Sequence, residues 1–234
     1  MNPRQDWVEN AKKKAALKAT ENVKDTFTVG LGSGSTAAYA IAELGKKVER
    51  EQLHILAVPT SYQAFLLAVK NGIQVTSLDE HPRLDLTLDG ADQIDRSLNL
   101  IKGMGGALTR EKVVASASER VIIIADETKK VTILGEKNHP VPLEVIPFAV
   151  APVMYKIGEI GGKPVLREGK AKVGPVISDN GNVIVDVYFG LIHGPAELDT
   201  KLKNIPGVVE TGLFVEMADV IYLGTRSGVE KIEK

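Results

Sequence analysis

The feature that most constrains this chain is an order that recurs through its first half: a short β-rich run, a break rich in glycine or hydroxyl residues, then a helix-forming run. Phe27-Thr28-Val29-Gly30-Leu31 breaks into Gly32-Ser33-Gly34-Ser35-Thr36 and resumes as Ala37-Ala38-Tyr39-Ala40-Ile41-Ala42-Glu43-Leu44. Ile55-Leu56-Ala57-Val58 leads to a helical pattern over Tyr62 to Lys70, and Val75-Thr76-Ser77-Leu78 follows. Two more buried-looking strands, Leu84 to Leu88 and Val121 to Ala125, flank a further glycine segment and a helix around Glu111 to Ser118. Strands alternating with helices imply an α/β fold with a doubly wound, mostly parallel, Rossmann-like sheet. A surface helix precedes it over Asp6 to Ala19, with Trp7, Val8, Ala11, Ala15 and Ala19 near one face and Lys12, Lys13 and Lys14 mostly on the other.

Past Lys130 the texture changes. Pro140, Pro142, Pro147 and Pro152 crowd together, and Asp179-Asn180-Gly181-Asn182 lies between Val176-Ile177 and Val183-Ile184-Val185. Asn-Gly between apolar runs is a hairpin signal. Residues 131–206 therefore read as a smaller inserted α+β domain, and 1–130 plus 207–234 as the Rossmann-like catalytic domain. Ala218 to Gly224 reads as one more strand returning to the first sheet.

Composition narrows the chemistry. With 29 Lys plus Arg against 30 Asp plus Glu, no net basic field draws in nucleic acid or an anionic membrane. The chain has no cysteine, which excludes disulfides, thiolate nucleophiles and Cys-ligated zinc. No stretch reaches the roughly 20 apolar residues of a membrane span, and Met1 to Asn22 lacks the apolar core of a secretion signal. The expectation is a cytoplasmic protein. His54, His81, His139 and His193 are scattered without ligand or triad spacing, so acid-base chemistry falls to carboxylates.

Three motifs carry candidate chemistry. In Gly30-Leu31-Gly32-Ser33-Gly34-Ser35-Thr36, glycines let successive N–H groups converge, hydroxyls add donors, and the following helix adds partial positive charge. That suits a phosphate; the plain alternative is a structural turn capped by Thr36. The loop has Ser35 where a dinucleotide fingerprint needs glycine, and it lacks the Gly-Lys-Ser/Thr of a Walker loop. In Asp85-Leu86-Thr87-Leu88-Asp89-Gly90-Ala91-Asp92, an alternating strand delivers Asp89 and Asp92 at its C-terminal end, where open α/β sheets bind ligands. Such a pair can bind sugar hydroxyls, shuttle protons or hold a divalent metal, and Asp-Gly alone also suits a simple turn. In Lys102-Gly103-Met104-Gly105-Gly106-Ala107-Leu108-Thr109-Arg110-Glu111-Lys112, Lys102 leads a loop and Glu111 falls in the first turn of a helix. The alternatives are a solvated lysine and a carboxylate complementing the helix dipole.

Taken together and in this order, the Gly-Ser-Gly-Ser-Thr loop, Asp-Gly-Ala-Asp and Lys-Gly-x-Gly-Gly-Ala-Leu-Thr-Arg-Glu-Lys closely resemble the ribose-5-phosphate isomerase A family. The resemblance continues through Ala125-Asp126-Glu127-Thr128-Lys129, Pro142 to Pro147, Ser178 to Asn182, Asn204 to Val209 and Gly224-Thr225-Arg226. It implies an aldose-ketose isomerase interconverting ribose 5-phosphate and ribulose 5-phosphate through an ene-diolate, with no cofactor or metal. It makes Glu111 the general base, Lys102 the cation for the oxyanion, and Asp89 and Asp92 the groups that handle hydroxyl protons. Ser33, Gly34, Ser35 and Thr36 match the substrate loop; Asp89, Gly90, Ala91 and Asp92 the carboxylate segment; Lys102, Gly103, Met104 and Gly105 the lysine-glycine loop. Lys129 matches a substrate-contacting lysine, and Lys12 falls at a phosphate-side lysine. Ser33 stands in place of the usual Thr, Gln93 follows Asp92 where Glu is common, and Met104 and Gly106 alter the glycine loop. The family resemblance also implies a homodimer or homotetramer. Two other classes remain open: a non-catalytic sugar-phosphate sensor, which needs the phosphate loop but not Glu111 with Lys102, and a nucleotide-binding α/β protein.

Overall fold

The computed structural model describes residues 3–169 and 173–234, with side chains from residue 7 onward; the parts of the sequence-based domain ranges at 1–2 and 170–172 lie outside these. In chain order the elements begin with α1 (Pro3–Thr20), β1 (Thr28–Leu31), α2 (Gly34–Glu51), β2 (Leu56–Pro59), α3 (Tyr62–Lys70), β3 (Gln74–Val75) and β4 (Leu86–Gly90). Next come β5 (Gln93–Ile94), β6 (Leu100–Ile101), α4 (Leu108–Ser116), β7 (Val121–Asp126), β8 (Val141–Val145), α5 (Val150–Glu159), β9 (Lys163–Leu166) and β10 (Val183–Tyr188). The last are α6 (Pro195–Lys203), β11 (Val208–Thr211), β12 (Leu213–Phe214), β13 (Val220–Gly224) and β14 (Val229–Glu233). The chain divides into two compact units: Met1–Ala91 with Arg110–Lys129 and Met217–Lys234, and Asp92–Thr109 with Lys130–Glu216.

The first unit is built on a seven-stranded sheet of order β14-β13-β7-β4-β1-β2-β3, parallel except for β14. Its inner strands are apolar on both faces: every residue of β1, β7 and β13 is buried, as two-sided burial requires. Chain order reverses between β1 and β4, because β2 and β3 follow β1 to one side while β4 and β7 lie on the other. The carboxyl ends of β1 and β4 meet at that switch, and Gly32 N–H donates to Leu88 O at 2.9 Å. The helix foreseen at Asp6 to Ala19 runs over Pro3–Thr20 and buries Ala11, Ala15, Ala16 and Ala19. Small side chains on that face let its backbone come close: a Cβ on Gly224 of β13 would lie 2.5 Å from the Ala11 carbonyl carbon.

The second unit holds an antiparallel four-stranded sheet of order β11-β8-β10-β9 and a three-stranded sheet of order β12-β6-β5, with α5 and α6. Val141, Leu143, Val145, Val153, Ile157, Val185, Val187 and Leu202 form its core. Compared with the range 131–206 drawn from sequence, it also takes in 92–109, 130 and 207–216. The three-stranded sheet explains why: β6 pairs with β12, and Lys102 N–H donates to Gly212 O at 2.9 Å. The Asn180-Gly181 turn forms, with Gly181 at φ +82°, but the strand expected at Val176-Ile177 is reduced to one bridge between Ile177 and Val183. Two full-length partners, β8 and β9, already occupy both edges of β10. The turn residues serve a buried carboxylate instead: Glu144, fully buried, accepts from Ser178 Oγ at 2.9 Å, Asn180 Nδ2 at 3.0 Å and Asn182 Nδ2 at 2.7 Å.

Candidate active site

In the first unit, Ser33 stands at the N-cap of α2 after β1, and Gly34, Ser35 and Thr36 are the first residues of that helix. The loop is closed against Asp89 at the end of β4. Asp89 is buried, and its Oδ1 accepts from Ser33 N–H at 3.2 Å and from Gly90 N–H at 2.7 Å. Glycine is required at position 32, because a Cβ there would overlap the Asp89 carboxylate and lie 2.6 Å from its Cα. Gly90 and Ala91 continue from this strand end, half-buried, with Gly90 beside Thr36. The helix that follows the loop has no acidic residue in its first turn, so its N-terminal N–H groups and dipole present positive potential.

Lys12 of α1 reaches the same loop. Its Nζ lies 2.8 Å from Glu9 Oε1 and 3.4 Å from Ser35 Oγ. Glu9 also accepts from Tyr39 Oη at 2.6 Å. The hydrogen bond from Lys12, followed by that from Tyr39, holds the Glu9 carboxyl below its ordinary range, and the bond to Glu9 raises the Tyr39 hydroxyl. Lys12 is thereby placed as a cation next to an exposed serine hydroxyl on the glycine loop.

Glu111 lies in the first turn of α4 and is 5% exposed. Val114, one turn on, packs with Val58 and Leu84 and abuts Gly30 of β1. The face of α4 that carries Glu111 is therefore turned toward the sheet. Lys129, half-buried, closes a short 3-10 helix, Glu127–Lys129, directly after β7. In that turn Asp126 accepts from the N–H of Thr128 at 3.0 Å and from its hydroxyl, which fixes the direction the chain takes after the strand.

The remaining residues belong to the second unit, into which the chain passes between Ala91 and Asp92. Asp92 Oδ2 accepts from Met104 N–H at 3.0 Å, so this carboxylate and the Lys102-Gly103-Met104-Gly105 loop are tied to each other. Lys102 follows β6 and is 3% exposed, not a solvated lysine; its Nζ lies 5.3 Å from the centre of the Phe214 ring. Met104 is 43% exposed, and its Sδ lies 3.8 Å from Arg167 Nη2.

Sequence reasoning missed Thr60, Ser61 and Gln63. Parallel register sets Leu31 beside Pro59, so the turns after β1 and β2 lie side by side. Ser33 Oγ is 2.8 Å from Thr60 Oγ1 and donates to Ser61 Oγ at 2.6 Å, while Gly34 N–H donates to Gln63 Oε1 at 2.9 Å. Ser61 also caps α3, accepting from Ala64 N–H at 3.1 Å. The available signal was a Thr-Ser pair directly after a buried strand.

Comparison with known proteins places the chain in a family. The pattern of the family described as ribose 5-phosphate isomerase A (phosphoriboisomerase A) matches residues 56–228. Ribose-5-phosphate isomerase A of Methanosarcina acetivorans is 48% identical over 221 residues, covering 94% of this chain and 93% of the relative. The Homo sapiens ribose-5-phosphate isomerase is 45% identical over 223 residues, covering 94% and 72%. The structure of ribose 5-phosphate isomerase A from Methanocaldococcus jannaschii superposes with a TM-score of 0.93 at 44% identity, covering 97% of this chain and 99% of that one. A D-ribose-5-phosphate isomerase in complex with phospho-erythronic acid gives 0.94 at 45% identity, with full coverage of both chains. With a family pattern matching most of its length and relatives at this identity across nearly all of it, the chain belongs to the ribose-5-phosphate isomerase A family.

Proposed function

We propose that this chain interconverts D-ribose 5-phosphate and D-ribulose 5-phosphate by proton transfer through an ene-diolate, in the non-oxidative branch of pentose phosphate metabolism. The observation that carries the proposal is the anion cradle of the first unit. A glycine loop at a helix N-terminus, fixed on Asp89 and approached by Lys12, supplies backbone donors, hydroxyls and a cation for a phosphate. Binding the phosphate there fixes the sugar, and that remote binding energy orients the reacting carbons.

In the open-chain aldose, the Glu111 carboxylate takes the proton from C2. The C2–H electrons form the C1–C2 double bond, and the carbonyl oxygen at C1 takes the negative charge. Protonation of that oxygen, loss of the O2 proton and return of the carbon-bound proton from Glu111 to C1 give the ketose. One carboxylate suffices for both carbon transfers. Lys102 is the cation assigned to the developing oxyanion, and Asp89 and Asp92 are assigned to hydroxyl protons, including those moved on opening the furanose. Lys129 completes the substrate contacts.

Cytoplasmic location and assembly as a homodimer or homotetramer belong to the same reading. The exposed Tyr62, Leu66 and Val69 on one face of α3 support self-association, since exposed apolar patches commonly mark interfaces. Among the described residues, no helix is long and apolar enough to cross a membrane. The test is conversion of ribose 5-phosphate to ribulose 5-phosphate in chelator-treated buffer. Turnover is the expected result; saturable binding without turnover would replace the enzyme by a sensor.

A further inference from the structure

The geometry points to Arg167 as a positioning residue that sets the lysine-glycine loop for catalysis, a role that rests on the isomerase reading and that the family resemblance does not assign. Arg167 follows β9 directly. Its own backbone is fixed, its N–H donating to Ile184 O at 2.9 Å and its carbonyl accepting from Val176 N–H at 2.8 Å. The guanidinium meets Asp186 of β10 with two parallel bonds, Nε to Oδ2 at 2.7 Å and Nη2 to Oδ1. Both side chains are nearly buried, at 13% and 12% exposure, so the fork is held in one orientation.

The other edge of the fork points at the loop. Nη1 donates to Gly103 O at 3.0 Å and to Met104 O at 3.0 Å, two consecutive carbonyls. On the far side of the first of these peptides, Met104 N–H donates to Asp92. The Gly103–Met104 peptide is therefore clamped at both ends, its oxygen on the cation and on Gly106 N–H at 2.9 Å, its N–H on a carboxylate, whereas Arg167 is the partner of the next carbonyl, Met104 O. In the next peptide, Met104 O is held and the exposed Gly105 N–H must point the opposite way, because the bond is trans. Charge on both carbonyls fixes the aim of both N–H groups. One aims the Asp92 carboxylate; the other leaves Gly105 as a preorganised donor on the loop that Lys102 leads.

A plain structural ion pair joining β9 to β10 would need only the Asp186 side of the fork. Lysine cannot serve both sides, since a single ammonium lacks the planar spread of donors. The test uses Arg167→Lys and the double variant Arg167→Met with Asp186→Leu. The second removes both charges together and so leaves no buried charge unpaired. Steady-state kinetics on ribose 5-phosphate, affinity for phospho-erythronic acid, inhibition by inorganic phosphate, and thermal melting are measured on each. Phospho-erythronic acid carries a planar carboxylate where the ene-diolate would form, so it reports on the loop as well as on the phosphate cradle.

Both variants are expected to fold, to lose about thirtyfold to a hundredfold in kcat, and to keep KM within about threefold, the size of effect a misplaced catalytic group produces. Affinity for phospho-erythronic acid falls by about tenfold or more while inhibition by inorganic phosphate stays at the wild-type level. A kcat within threefold of wild type in the folded double variant overturns the inference, as does an equal loss of affinity for both anions. An inactive wild type overturns the isomerase reading and this inference with it; an active wild type with unimpaired variants overturns this inference alone.

Discussion

The two glycine loops are held by different physics. Gly32 to Thr36 takes its shape from the sheet: the ends of β1, β2 and β4 lie in parallel register and bring Asp89, Thr60 and Ser61 against it. Lys102 to Gly105 leaves a two-residue strand through Lys102 N–H on Gly212 O and a turn bond from Gly106 N–H to Gly103 O, and its outer part is held by charge, with Asp92 on one side and, from 63 residues beyond Met104 in the chain, the Arg167 guanidinium on the other. A loop seated at a strand end inherits geometry and is sensitive to volume. A loop hung from side chains is sensitive to which charges reach it.

That contrast predicts an ordered set of effects. The largest belongs to Gly32→Ala, whose methyl would overlap the Asp89 carboxylate and press on its backbone. A loss of about a hundredfold or more in kcat/KM is expected, because Asp89 and the loop must separate; an effect below threefold would show that the first loop is not set by volume. Ser61→Ala follows. It removes the cap of α3 and the partner of Ser33, so stability should fall by about 1 kcal/mol. Calorimetry should show a melting temperature lower by about 2–4 °C, and KM should rise severalfold with kcat nearly constant. Met104→Gly should do least. Its backbone makes the loop's short hydrogen bonds, while its half-exposed side chain adds only one long contact, Sδ at 3.8 Å from Arg167 Nη2, so kcat should stay within about threefold, the combined effect of that weak contact and loop entropy. A tenfold loss there would mean that the side chain, not the charge clamp, shapes the second loop.

Legibility in the sequence followed the same division. The strand-loop-helix order of residues 27 to 44 is local, so the parallel sheet and its glycine loop could be read directly, as could Asp89 at a strand end and Glu111 in a helical first turn. The neighbours of Ser33 could not, because parallel register is a long-range property that no local pattern encodes. Arg167 and Asp186 were equally silent: each is an ordinary charged residue of a strand region until β9 and β10 pair and their fork closes on a loop elsewhere in the chain. The Asn180-Gly181 signal gave the turn correctly but not its partner, since the demand of the buried Glu144 for three donors and the two strands already flanking β10 decided the pairing.

Glu111 is the carboxylate proposed to carry the proton between the two carbons beside the carbonyl. The most direct test follows ribose 5-phosphate in deuterated, chelator-treated buffer by NMR, with the wild type and with Glu111→Gln, both shown to be folded and equally inhibited by phosphate. Ribulose 5-phosphate formation with deuterium entering a carbon-bound position in the wild type, and both slowed by about a hundredfold or more in the variant, is the expected result. Equal turnover and equal exchange in the two proteins would contradict it and remove Glu111 as the base.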